Sequence, residues 1–266
     1  MFGLTENKID SLFTHYINEN TPFLLVDKLG KGGFGSTYLL KEKHSGERFV
    51  LKRLNKKRLK SAEAITSFHF EKQVISELEN QAFPTYHSEG DMNGIPYFIM
   101  ELKKGKTFEQ WIFQEGKRYS VDESFIIVKK VLQAVLYMHS KGIVHRDLRI
   151  PNILFDGRDV SIIDFGLASR LDSSYDHRNI DHPKKAPNHI SDLYCLGHFL
   201  LFLLYSSYTP TVKKERSWEE ELSLPLPLRI FIKKLLLLDT PFINAKHAYS
   251  ELEKMMEGRM EYVTIQ

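Results

Sequence analysis

The sequence predicts an α+β fold built in two lobes, a strand-rich front and a mostly helical rear, and three observations carry that prediction. Short apolar runs separated by glycine-containing turns follow residue 22, the pattern of antiparallel strands. After Gly105 such runs thin out and apolar residues recur at helical spacing. With 266 residues, 42% hydrophobic and 27% charged, the chain has enough apolar material for a large core, in one domain or two lobes.

The elements follow in order. Ile9, Leu12, Phe13, Tyr16 and Ile17 fall on one helical face, which predicts an amphipathic helix over residues 1–20, ended by Thr21 and Pro22. As an extension before the first strand it is expected to cap the front lobe or to form a contact for self-association. "FLLVDKLG", "STYLLKEK" and "RFVLKRL" read as strands, "SFHFEKQVISELEN" as a helix and "PYFIMEL" as a further strand, with the lobes joined near residue 102. In the rear, "FIIVKKVLQAVLYMHSKG" places Val128, Val131, Leu132, Val135, Leu136 and Met138 on one face and stops at Gly142, a good residue to end a helix. "LGHFLLFLLY", apolar all round, reads as a buried helix and is far short of the ~20 residues a bilayer span needs. No internal repeat or low-complexity segment is present.

Composition narrows the setting. A single cysteine, Cys195, forms no internal disulfide, and the first 20 residues carry acids and lack the order of a signal peptide, so the expectation is a cytoplasmic protein without a membrane span. The net charge of +3 is mild and does not by itself point to nucleic acid.

The chemistry concentrates in a few places. "LGKGGFGSTY" sets Gly30, Gly32 and Gly35 between two strand-like runs, where glycine lets backbone approach a phosphate. A dinucleotide-binding turn would need a helix next, and "STYLLKEK" reads as strand. Lys52 ends "FVLK", and Glu71 sits on the following helix, where a carboxylate can orient the ammonium toward a polyphosphate. In "HRDLRIPNILFDGRDVSIIDFG", Asp147 and Asn152 stand five residues apart and Asp164 follows. A carboxylate near an attacking hydroxyl can accept its proton, while a second carboxylate and an amide oxygen are hard ligands for magnesium.

Glycine loop, strand lysine, helix glutamate, "HRDLRIPN" and "DFG" occur in the order and spacing of the eukaryotic-like, or Hanks-type, protein kinase family, which this chain resembles from about Leu29 to Asp192. Its compact style is similar to that of bacterial serine/threonine members. The resemblance implies one kinase domain, with an N-lobe over residues 21–102, an antiparallel sheet plus one helix, and a mostly helical C-lobe over residues 103–266. It implies ATP and Mg2+ as cofactors and protein hydroxyls as acceptors. Gly30, Gly32 and Gly35 would cover the phosphates, and Lys52, paired with Glu71, would hold them. Asp147 would act as base, and Asn152 and Asp164 would bind the metal. Arg149 stands where serine/threonine kinases usually carry lysine, and its charge can still neutralise the transferred group. "YFIMEL" looks like the hinge, with Met100 as gatekeeper and the backbone of Glu101 and Lys103 facing adenine. Thr37 replaces the usual valine of the glycine loop. Asp192 resembles the aspartate that opens the central helix and braces the catalytic loop, and a plain N-cap of that helix fits the same residue.

The chain also departs from the family. Only 28 residues separate Asp164 from Asp192, the A-P-E motif is missing at its usual distance, and "LLLLDTPFINAKHA" lacks its partner arginine. Loss of both partners reads as a coherent variant, since losing one would strand a buried charge. Arg146 implies a phosphorylated activation segment, with Ser173, Ser174 and Tyr175 as the nearest acceptors; a local acid or carbonyl would serve the arginine equally. Between Lys52 and Lys60, "KRLNKKRLK" has six basic residues in nine, a solvated loop or a dock for nucleic acid or another polyanion. The alternatives to a serine/threonine protein kinase are a small-molecule kinase on the same fold and a nucleotide-binding pseudokinase scaffold.

Overall fold

The computed structural model describes residues 6–32, 35–175, 182–210 and 216–264, with side chains to residue 257. Residues 1–5 of the expected first helix, and Gly33 and Phe34 of the glycine loop, lie outside the described residues. The chain divides into two compact units, Met1–Lys103 and Lys104–Gln266.

The first unit is an antiparallel five-stranded sheet with helices. After α1 (Glu6–Asn20) come β1 (Phe23–Lys31), β2 (Gly35–Glu42) and β3 (Arg48–Leu54), then α2 (Ala62–Glu77), β4 (Tyr86–Met92) and β5 (Ile95–Glu101). The sheet order is β1-β2-β3-β5-β4. Side chains alternate between the sheet faces. Lys52 is opposite Thr37 and Phe98, while Arg53 is opposite Ser36 and Tyr97. Phe98 meets Phe68 of α2, and Tyr97 meets Phe13 of α1, so each helix covers its own face. Ile9, Phe13 and Ile17 of α1 are buried against Tyr38, Leu40, Leu51, Tyr97 and Ile99. The helix therefore caps its own sheet, and the predicted apolar face is narrower than its spacing implies, because Leu12 stays 44% exposed.

The apolar pattern does not reveal β4 in "YHSEGDM", which is an edge strand with alternate residues exposed. Its hairpin turn, Asn93-Gly94, has both residues at positive φ (53° and 83°), and Met92 pairs with Ile95 across it. Asn-Gly is a strong two-residue hairpin signal, and it marks this strand pair in the sequence.

The second unit is mostly helical. It holds β6 (Lys106–Thr107), a π-helical turn (Gln110–Gln114), α3 (Val121–Ser140), β7 (Ile143–Val144), β8 (Ile153–Phe155), β9 (Val160–Ile162), β10 (Ser169–Arg170) and α4 (His189–Tyr205). α5 (Trp218–Glu221), α6 (Leu226–Leu235) and α7 (Ala245–Thr264) complete it. α3 starts on a capping box between Ser120 and Glu123, and Gly142 follows its end at φ 70°. Its predicted face is buried apart from the half-buried Leu136. α4 packs between α3 and α6 with Leu196, Phe199, Leu200 and Leu203 buried, but it is not buried all round, since Phe202 is 47% exposed. No helix among the described residues is long and apolar enough to cross a membrane.

Candidate active site

In the first unit, the strand lysine and the helix glutamate meet. Lys52 Nζ lies 2.6 Å from Glu71 Oε1, with the two side chains 11% and 2% exposed. The phase of α2 sets this pairing. Ser61 caps the helix by accepting the Ala64 N–H, and Glu71 then falls on the stripe that buries Phe68, Val74 and Ile75. A carboxylate so buried is stable only with a cation beside it, so the pair fixes the ammonium.

The glycine loop is closed by the Gly32 N–H donating to the Gly35 carbonyl at 2.9 Å. At Gly35 an added Cβ would sit 2.6 Å from the Arg53 carbonyl oxygen, so the close approach of β2 to β3 requires glycine there. Among the described residues, an added Cβ at Gly30 would meet nothing within 4 Å, and one at Gly32 the Gly35 carbonyl at 3.8 Å. The described residues leave room for a side chain at those two positions. Thr37 sits half-buried on β2 opposite Lys52.

Sequence reading missed Asn55. Its amide donates to the Gly32 carbonyl at 3.1 Å, and its Oδ1 accepts the Ser36 hydroxyl at 3.1 Å, which ties the end of β3 to the glycine loop. An asparagine just past a strand carries no signal of its own beyond a turn preference. Met100 is buried on β5. The Glu101 N–H is engaged by the Thr85 carbonyl at 2.9 Å, whereas the Lys103 backbone makes no hydrogen bond among the described residues.

The basic run after Lys52 is less of a patch than its sequence suggests. Lys52 is committed to Glu71, and Arg53 is fully buried against Glu6 and Asp10, while Lys56–Lys60 forms a 3-10 turn.

In the second unit, Asp192 organises the backbone at His145 and Arg146. Its fully buried carboxylate accepts the His145 N–H (3.0 Å), the Arg146 N–H (2.7 Å) and a contact from His139 Nε2 (2.8 Å). Burial alone would raise its pKa, but His139 and these donors hold it below the ordinary carboxylate value. Asp192 is not the N-cap of α4. Asn188 fills that place by accepting the Ile190 N–H. Arg146 sits at φ 68°, which costs a non-glycine residue of order 1–3 kcal/mol and persists only where neighbours over-determine it. The clamp by Asp192 provides that determination.

The Asp147 N–H donates to His145 Nδ1 at 3.2 Å, which leaves the ring proton on Nε2, 3.2 Å from the Ile163 carbonyl. Phe165 packs on the same ring at 4.8 Å. His145 thus joins the "HRD" and "DFG" stretches. The Asp147 carboxylate is held from two sides: Arg149 donates to both oxygens, at 2.5 and 3.0 Å, and Asn152 Nδ2 donates to Oδ2 at 2.8 Å. Hydrogen bonding to Asp147, together with its charge, raises the Arg149 pKa above its ordinary value. Asn152 Nδ2 also donates to the Asp147 carbonyl at 2.9 Å, so its Oδ1 is left as an acceptor. Asp164 stands at φ 64°, and its Oδ1 accepts the Gly166 N–H at 3.4 Å.

Arg146 Nη2 donates to the Lys185 carbonyl at 3.0 Å, the local alternative to a phosphate, and Ser174 Oγ donates to Asp172 Oδ1 at 2.6 Å.

Comparison with known proteins agrees with this geometry. The family model of the protein kinase domain matches residues 23–240. The chain is 27% identical over 239 residues to the probable serine/threonine-protein kinase YbdM of Bacillus subtilis (strain 168), covering 90% of this chain and 91% of that one. It is 30% identical over 226 residues to the interferon-induced, double-stranded RNA-activated protein kinase of Mus musculus, covering 73% of this chain and 42% of that protein. Over 156 residues it is 34% identical to the calcium/calmodulin-dependent protein kinase type 1 of Caenorhabditis elegans, 55% of this chain and 43% of that one. With a family match over most of its length and a clamp pair and catalytic loop built as described, the chain belongs to the protein kinase family.

Proposed function

We propose that the chain is an ATP- and Mg2+-dependent kinase that phosphorylates serine and threonine hydroxyls of proteins. The observation that carries this reading is the orientation of Asn152, whose amide nitrogen is held by Asp147 while its oxygen remains an acceptor. That oxygen and the carboxylate of Asp164 make a hard oxygen donor set suited to Mg2+. A metal bound there would neutralise charge on the phosphates.

The protein's own groups carry the rest. Lys52, steadied by Glu71, holds phosphate oxygens, and the glycine loop covers them with Gly30 and Gly32 leaving room. The carbonyl of Glu101 and the free backbone of Lys103 serve the adenine edge beside Met100. Asp147 orients the acceptor hydroxyl and takes its proton, while Arg149 transfers its guanidinium from Asp147 toward the phosphoryl group. At 54% exposure that ion pair is worth at most about 1 kcal/mol, so releasing it costs little.

The serine/threonine assignment follows the name of the Bacillus relative, which covers most of this chain. Neither the small-molecule kinase nor the scaffold reading gains support from the family match. A single buried cysteine, Cys195, whose thiol burial pushes up to about 12, suits a reducing compartment such as the cytoplasm. Autophosphorylation at Ser173, Ser174 or Tyr175 belongs to the same reading, because Arg146 Nε makes no hydrogen bond among the described residues, and a turn of its side chain would offer the guanidinium to an anion. Phosphopeptide mapping of the active enzyme that finds all three unmodified would remove that part.

The test of the main reading is transfer of label from ATP with magnesium, comparing wild type with Asp164→Ala on the protein itself and on a generic protein acceptor. Label on serine or threonine that vanishes in the variant is expected. Transfer retained by Asp164→Ala would refute the metal assignment.

A further inference from the structure

Lys52 and Arg53 are neighbours on β3, and strand alternation turns them to opposite faces. Lys52 meets Glu71, while Arg53 faces α1 with no exposed surface. All of its nitrogens are engaged. Nε donates to the Tyr38 hydroxyl oxygen at 2.9 Å and Nη1 to the Leu54 carbonyl at 3.2 Å. Nη2 donates to Glu6 at 3.1 Å and also to Asp10. Asp10 accepts the Tyr38 hydroxyl at 2.6 Å and pairs with Lys28 of β1. The Phe13 ring lies 5.7 Å from the guanidinium. Carboxylates from one helix therefore neutralise a buried cation in the strand of the clamp lysine. That helix precedes residues 23–240, so the family match does not account for it.

We propose that Arg53 is a positioning residue for the nucleotide site: locked to Asp10 and Glu6 of α1, it fixes the strand that carries Lys52 and the edge of the glycine loop. The inference rests on the nucleotide reading of Lys52 given above. Without Asp10 the buried guanidinium keeps only Glu6, and a shift that recovers a partner for its charge draws its backbone with it. The displacement reaches Lys52 through one peptide bond. It reaches the loop at Gly35, where β2 lies so close to the Arg53 carbonyl that an added Cβ would stand 2.6 Å away. In this way α1 is part of the catalytic unit, and its contacts set how well ATP is held.

The experiment is steady-state kinetics of Asp10→Asn, Asp10→Glu and Ile17→Val, with equilibrium nucleotide titration of these and of Lys52→Met, at a temperature where circular dichroism shows each fully folded. Ile17 is a buried residue on the apolar face of α1 that does not contact Arg53 through any hydrogen bond, and it controls for loosened packing alone. Asp10→Asn is expected to raise KM for ATP about tenfold, less than the roughly hundredfold cost that a 1 Å misplacement can carry. Asp10→Glu keeps the charge and is expected to stay near wild type, as is Ile17→Val. A KM unchanged in Asp10→Asn overturns the coupling, and a KM raised equally in Ile17→Val or Asp10→Glu overturns the guanidinium–carboxylate lock as its cause. Nucleotide affinity unaltered by Lys52→Met refutes the nucleotide reading and the coupling with it, whereas a shift in Lys52→Met without one in Asp10→Asn refutes the coupling alone.

Discussion

Arg149 grips both carboxylate oxygens of Asp147, Nε to Oδ1 at 2.5 Å and Nη2 to Oδ2 at 3.0 Å. The arginine side chain is 54% exposed and the aspartate 16%, so the pair is held by geometry more than by burial. A planar fork matches a carboxylate, and it matches a phosphoryl group equally well. Arg149→Ala is expected to lower kcat/KM about a hundredfold, the scale of removing one charge-stabilising donor. Arg149→Lys, which keeps the charge on a flexible stem, is expected to lose far less. Rates unchanged in Arg149→Ala would show that the guanidinium only rests on the base.

Asp147→Asn tests the base itself. The substitution keeps an oxygen for Arg149 and Asn152 and removes the proposed proton acceptor, so ATP affinity is expected to stay near wild type while kcat falls by about 10²–10⁴. Nucleotide titration and single-turnover transfer separate the two quantities. Full turnover in this variant would sink the assignment of Asp147.

Asp192 is read differently from structure than from sequence. In "SDLYCLG" it fits both a helix cap and a brace, and only the backbone path of residues 145–146 decides between them. Asn188 holds the cap, so Asp192 is left to secure three donors in a buried place. Asp192→Asn leaves one acceptor oxygen for them and turns an N–H toward another donor. Breaking a buried charged cluster in this way costs about 3–5 kcal/mol, and the strained φ of Arg146 loses its support at the same time. Urea unfolding is expected to show that loss. Wild-type stability in the variant would mean that the loop conformation is held by other contacts.

The legible part of the molecule is the part carried by local chemistry. Periodicity and turns gave α3, β2, β3 and β5, which bury side chains against a core, and the apolar run gave β1 although only Phe23 of that strand is buried. Five ordered motifs gave Lys52, Glu71, Asp147, Asn152 and Asp164, and the structure brings Lys52 to Glu71 and Asn152 to Asp147. Contacts between distant residues stayed hidden. Asp10 and Arg53 are 43 residues apart, and nothing in "NKID" or "KRLN" singles out either charge from its neighbours. β4 escaped for the opposite reason: its edge position lets it be polar, so the apolar pattern that finds buried strands is absent.

The lock on Arg53 has a pH signature. Burial would raise the Asp10 pKa, but hydrogen bonds from Lys28, Tyr38 and Arg53 outweigh it and hold the carboxyl below its ordinary value of 3.8. The Tyr38 hydroxyl is pushed up to about 12, first by burial and then by Asp10, so it remains a donor throughout the neutral range. Glu6 shares the guanidinium with Asp10. A carboxyl whose folded pKa is depressed adds stability above its unfolded pKa, and that stability is lost as the pH falls through the folded pKa. Asp10→Asn lacks this ionisation. The gap in unfolding free energy between wild type and Asp10→Asn is therefore expected to be about 3 kcal/mol at neutral pH, the lower end for breaking a buried pair, since Asp10 keeps 19% exposure. It should hold down to the ordinary carboxylate value and narrow below it. Urea titrations of both proteins at neutral pH and on either side of 3.8 measure the gap. A gap that stays constant into acid would mean that the asparagine acts by shape, and that the charge of Asp10 is not what holds Arg53.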